Sequence, residues 1–153
     1  MENFIQKLEA DSTKLIVLGP LYGAFHTLVR SLQQLQELNI INNNLKLTNN
    51  KNYIVFLGNA ITKSPFCIET FLLILRLMQE NPTQIIYLRG RQEMPMQWKA
   101  QSLQQELTAA FANKKDNHPF LEKAVDEFLD TLPLALYHTF YENGKINYIK
   151  LAH

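Results

Sequence analysis

Three cationic side chains, Lys63, Arg89 and Arg91, lie in or beside short glycine-containing loops of this 153-residue sequence. With the backbone N–H groups of a helix that starts after Ser64, such side chains can hold a phosphate or carboxylate. The rival use of Arg91 is an ion pair with Glu93 or another local carboxylate, the commoner fate of such constellations. Other reactive residue types are sparse. His26 falls early in an amphipathic stretch, His118 in a polar loop and His138 in a strand-like run, none with Cys, Asp or His at metal spacing. Cys67 is the single cysteine, which excludes an internal disulfide. It reads as a packing residue on the apolar side of a helix, as fits a reducing compartment.

The elements that must position these residues are legible around residues 52–81. Residues 53–57 form an apolar run rich in β-branched and aromatic side chains, as a strand covered on both faces requires. Gly58 allows a sharp turn. Ser64 offers an N-cap oxygen and Pro65 a first helical residue, ahead of a face of Phe66, Phe71, Leu72, Ile74, Leu75 and Met78. The same unit recurs on either side: residues 15–18 run into Gly19 before a helix over 25–38, and residues 85–88 run into Arg89-Gly90. The pattern predicts an α/β fold with a βαβαβ parallel sheet and flanking helices. Its site would lie where the loops beyond the strand ends converge, among residues 19–23, 58–64 and 90–93.

Elsewhere the reading is coarser. Residues 1–13 are a polar lead-in with a helical turn around Phe4, Ile5 and Leu8. The asparagine-rich stretch 39–52 reads as a surface loop without chemistry. Met94 to Met96 is an irregular break with Trp98 nearby; the three could form an adaptable contact surface, but core packing is the expected use. Helical periodicity runs over 98–112 and 119–131. Residues 134–141 and 145–151 alternate around Asn143-Gly144, a strong signal for a C-terminal β-hairpin. No linker divides the chain, so residues 1–153 are one domain.

Composition narrows the function classes. A hydrophobic share of 46% with 19% charged residues is that of a globular protein. A formal charge of +1 gives no reason to expect nucleic acid or an anionic membrane as partner. The N-terminus does not read as a secretory signal, and the longest apolar stretch, residues 71–78, is too short to span a bilayer. The expected location is the cytoplasm or, given a composition that suits a low-GC bacterium, a host cell into which the protein is delivered.

The loops are G-P-L-Y-G at 19–23, G-N-A-I-T-K-S at 58–64 and L-R-G-R-Q-E at 88–93, followed by Leu132-Pro133 and K-L-A-H at 150–153. In order and spacing they resemble the phosphoprotein (serine/threonine) phosphatase branch of the calcineurin-like metallophosphoesterases. That branch carries G-D-x-H-G, G-D-x-x-D-R-G and G-N-H-E after three successive strands, then L-P and a metal-binding His. The resemblance covers nearly all of this chain and about the first half of a complete family catalytic domain. It implies half of a metallophosphoesterase sandwich, with Lys63 at the phosphate-clamp position. It also implies that the metal site is degenerate. Pro20 and Tyr22 stand where the first Asp and His belong, Asn59 where the bridging Asp belongs, and Thr62 replaces the carboxylate beside the general acid. Arg91 replaces a ligand Asn and Gln92 the catalytic His, leaving His153 alone in its ligand role.

A binuclear centre needs anionic and imidazole ligands, so the expectation is a pseudophosphatase with no metal and no catalytic residues. The alternative is a phosphoesterase using Mn or Zn through unconventional ligands or a site completed by another chain. Because the family's second sheet comes largely from the missing half, the resemblance implies an exposed sheet. A protein partner, a homo-oligomer or the helices over 98–131 would cover it.

Overall fold

The computed structural model describes residues 5–9, 13–113, 118–142 and 145–152. Three short parallel strands form the centre: β2 (Lys14–Leu18), β3 (Asn52–Phe56) and β4 (Ile85–Tyr87), in the order β2-β3-β4. Helix α1 (Phe25–Glu37) links the first two and α2 (Cys67–Glu80) the second pair, which is the expected βαβαβ unit. Alternation along β3 divides the core. Ile54 and Phe56 join the helices in one cluster, whereas Val55 packs with Ile86 and Leu88 in another.

That second cluster is closed by a second sheet. Strand β1 (Ile5–Glu9) pairs parallel with β5 (Ala135–Glu142), which pairs antiparallel with β6 (Lys145–Ala152). The hairpin expected from Asn143-Gly144 is therefore present, although those two residues lie outside the described ones. Leu8, Leu136 and Leu151 point inward onto Val55, Ile86 and Leu88. These strands thus cover the central sheet that was expected to lack a cover, and residues 5–9 of the lead-in form a strand where a helical turn was expected, Phe4 lying outside the described residues. His138 reinforces the join: its ring is 2.9 Å from Thr13 Oγ1 and 3.1 Å from the Leu8 carbonyl.

The remaining helices pack on the α1/α2 side rather than across the sheet. They are α3 (Pro95–Trp98), α4 (Ser102–Ala110) and α5 (His118–Thr131). The periodic stretch over 98–112 holds only α4, which starts at Ser102, while Trp98, the last residue of α3, is a fully buried anchor. Its indole N–H donates to Asp126 at 2.9 Å. Met94 and Met96 are exposed instead of packed. The asparagine-rich stretch is also less peripheral than its composition implies, since Ile40 and Ile41 are buried. Its asparagines build the turn: Asn42 Oδ1 accepts from the backbone of Asn44 and Lys46, and Asn81 reaches across to hold Leu45 and Leu47. No helix among the described residues is long and apolar enough to cross a membrane.

Candidate functional site

The three glycine loops meet at the carboxyl ends of β2, β3 and β4, as the sheet order requires. Tyr22 N–H donates to the Asn59 carbonyl at 2.8 Å and Gly23 N–H to that of Ala60 at 2.6 Å. The second and third loops touch even more closely. A Cβ added to Gly58 would lie 2.5 Å from the Gly90 nitrogen, and one added to Gly90 would lie 2.6 Å from that of Asn59. Among the described residues, three of the five non-glycine residues with positive φ (Tyr22, Asn59 and Lys63) belong to these loops. Such conformations carry strain that the surrounding structure must hold, and they cluster at functional sites.

Glu93 supplies that hold. It is completely buried, and its two carboxylate oxygens accept four hydrogen bonds at 2.8 Å. The donors are the backbone N–H groups of Asn59, Ala60 and Gly90 and the Tyr87 hydroxyl. This is a backbone nest with an internal anion in place of a ligand. Burial and the neighbouring Glu93 charge push the Tyr87 hydroxyl well above its ordinary pKa, so it remains a donor. The expected Arg91–Glu93 ion pair does not form, because Glu93 faces inward. Arg91 is exposed, and its guanidinium makes no hydrogen bond or ion pair among the described residues.

The other two cations are engaged. Lys63 Nζ lies 4.6 Å from the Tyr22 ring centroid. Arg89 is 9% exposed and donates through Nη1 to Asp130, 3.2 Å away, while its Nε and Nη2 are buried without partners among the described residues. A guanidinium in that position depends on one counter-charge. Asp130→Asn should lower stability by about 1–2 kcal/mol, the low end because Asp130 itself is solvated. Arg89→Met should leave stability unchanged or raise it, and urea denaturation of the two variants reads the contrast.

The start of α2 also departs from expectation. Ser64 and Pro65 lie in a turn ahead of the helix, and the N-cap is Phe66. The free N–H groups of Cys67 and Ile68 are taken by Glu106 of α4, at 3.0 and 2.9 Å. The anion at this helix start is therefore the protein's own. Glu106 was not identifiable from sequence, because nothing local marks a carboxylate 39 residues away as a cap. Cys67 is fully buried as expected, and its thiol lies 3.1 Å from the Ser64 carbonyl. Burial pushes the thiol up to about 12, against the pull of that hydrogen bond, and the Glu106 charge adds to the rise. The unfolded thiol ionises near 9, so this stabilisation is complete below pH 9 and lost as pH rises toward 12. Ellman's reagent at pH 8 should leave the native thiol untouched and react fully in concentrated urea.

Comparison with solved structures bears on what this scaffold is. No family model and no curated protein matches the sequence. The structure is similar to that of a protein serine/threonine phosphatase from Saccharomyces cerevisiae, itself described as similar to human phosphatase PP5. The TM-score is 0.69 at 18% identity. The fold is that of the matched part of the yeast chain. The match covers 90% of this chain and 39% of the yeast chain, so the present chain spans well under half of that phosphatase's length.

Within this fold, the described crevice residues offer few free ligand atoms for metal ions. Pro20 has no side-chain donor atom and is exposed. The Asn59 side chain is already committed, its Oδ1 accepting from the Gln92 backbone at 2.9 Å and its Nδ2 lying 3.5 Å from the Tyr22 hydroxyl. The Gln92 side chain accepts from Gln101 at 2.8 Å. Thr62 is fully buried, and its hydroxyl has no partner among the described residues. His153 lies outside the described residues. Among the described residues, no group of three His, Cys, Asp or Glu side chains could hold a metal ion.

Proposed function

We propose that this chain is a catalytically inactive phosphatase-like protein that acts as a binding or regulatory module. The observation that carries the proposal is the donor set at the crevice. Neutral amides, a phenol, a proline and an arginine occupy the positions that a metallophosphoesterase gives to anionic and imidazole ligands. Two divalent ions need such ligands both for affinity and to offset their charge. The Asn59 side chain is also tied to the Gln92 backbone and the Gln92 side chain to Gln101, which leaves both engaged rather than poised as ligands. Recognition of a phosphate at this crevice would rest on the Lys63 and Arg91 side chains alone, since Glu93 and Glu106 already satisfy the nearby backbone donors. That balance favours a protein partner over a small anion.

Elemental analysis of the purified protein, followed by p-nitrophenyl phosphate hydrolysis with added manganese, tests the proposal. The expected result is substoichiometric metal and no turnover above buffer. Two tightly held Mn or Zn ions, or saturable hydrolysis, would overturn it.

A further inference from the structure

The outer face of the β1-β5-β6 sheet gathers exposed aromatic and cationic side chains. Register sets Lys7, Tyr137 and Lys150 in one row across three strands, with Thr139 and Tyr148 opposite each other in the next. Neighbouring strands lie about 4.8 Å apart, so the two lysines arise from backbones roughly 10 Å apart, one on each side of Tyr137. Lys150 Nζ is 5.8 Å from the Tyr137 ring, and the Tyr137 and Tyr148 rings are tilted at 6.4 Å. These five residues line a depression of about 460 Å³. Exposed Ile5, Ile146 and Tyr148 extend the face with apolar surface, and Tyr148 is 70% exposed. Neither lysine makes an ion pair among the described residues, and Glu9 holds the register position beside Thr139.

We infer that this face docks an extended, acidic segment of a partner protein. The inference rests on reading the chain as a binding module and names the partner's chemistry. Exposed tyrosine and isoleucine provide the desolvated anchors of a protein interface, and unpaired lysines beside them select for negative charge. A second copy stacked on the same face would set these lysines against their own equivalents. Single-stranded nucleic acid is disfavoured by arithmetic, since two lysines neutralise about two phosphates where strong binders contact six to ten. With β5 and β6 eight residues long and β1 five, the face is at most about 26 Å long and 15 Å wide. That is roughly 400 Å², half the per-partner area of a standard interface, so the complex is weak and transient.

The test is a titration of isotope-labelled full chain with poly(Glu,Tyr), a random acidic copolymer, followed by amide chemical shifts. Shifts confined to β1, β5 and β6, with affinity reduced at least tenfold in Lys7→Glu/Lys150→Glu and reduced again in Tyr148→Ala, are expected. All three side chains are exposed, and an unchanged melting temperature certifies each variant as folded. Absent shifts, shifts elsewhere or undiminished binding by the variants would overturn the inference. So would tighter binding of oligo(dT), or sedimentation showing a dimer that buries this face. Metal-dependent turnover would sink the preceding proposal and leave this one standing. A metal-free chain that ignores the copolymer would do the reverse.

Discussion

Glu93→Gln is expected to destabilise the protein by about 3–5 kcal/mol, the larger part of a typical domain's stability. Glutamine preserves size and one acceptor oxygen. Its amide NH2, however, would meet N–H donors that now point at a carboxylate oxygen, those of Asn59 and Gly90. Two buried N–H groups and the new amide would then be left unsatisfied, each costing about 1–3 kcal/mol. For a chain of this size the melting temperature should fall by roughly 10 °C or more. Calorimetry of the purified variant checks the figure, and a loss below 1 kcal/mol would mean that the loops are held by something other than this carboxylate.

Gly58→Ala should be comparably severe for a different reason. Gly58 has φ +89, and an added Cβ would come within 2.5 Å of the Gly90 nitrogen and 2.7 Å of its Cα. Those are backbone atoms, so no side chain can swing aside. The backbone conformation contributes about 1–3 kcal/mol and overpacking a similar amount. The contrasting variant is Gly19→Ala, where nothing lies within 4 Å of the added carbon. It should stay within about 0.5–1 kcal/mol of the parent in the same urea titration, which isolates the clasp between the two loops as the cause.

The central unit was readable because its signals are local. Buried strands are short apolar runs, and each ends at a glycine where the backbone must turn or approach another loop. The convergence of residues 19–23, 58–64 and 90–93 followed from that pattern alone. What escaped was long-range. Strand β1 is a polar-looking pentapeptide that becomes a strand only by pairing with β5. Its inward Leu8 makes sense only once Leu136 and Leu151 are beside it. Ser64-Pro65 has the local form of a helix start, yet the helix begins at Cys67 because Glu106 provides a stronger, charged cap. Leu72 fits the apolar face by type but is 58% exposed, while Thr70 faces inward and bonds the Phe66 carbonyl at 2.7 Å. Glu93 was visible as the last letter of a loop motif, but its inward orientation away from Arg91 was not.

The pairing of β1 with β5 sets an order of assembly. Lys14 meets Asn52 across one helix and a turn, whereas Leu8 and His138 lie 130 positions apart. Closing the longer loop costs about 1 kcal/mol more chain entropy, and it returns nothing until the hairpin already exists. The βαβαβ unit and its helices are therefore expected to form as an early cooperative block, with the first strand zipping into place last. Through that late step the chain would pass with Val55, Ile86 and Leu88 uncovered, its most aggregation-prone moment.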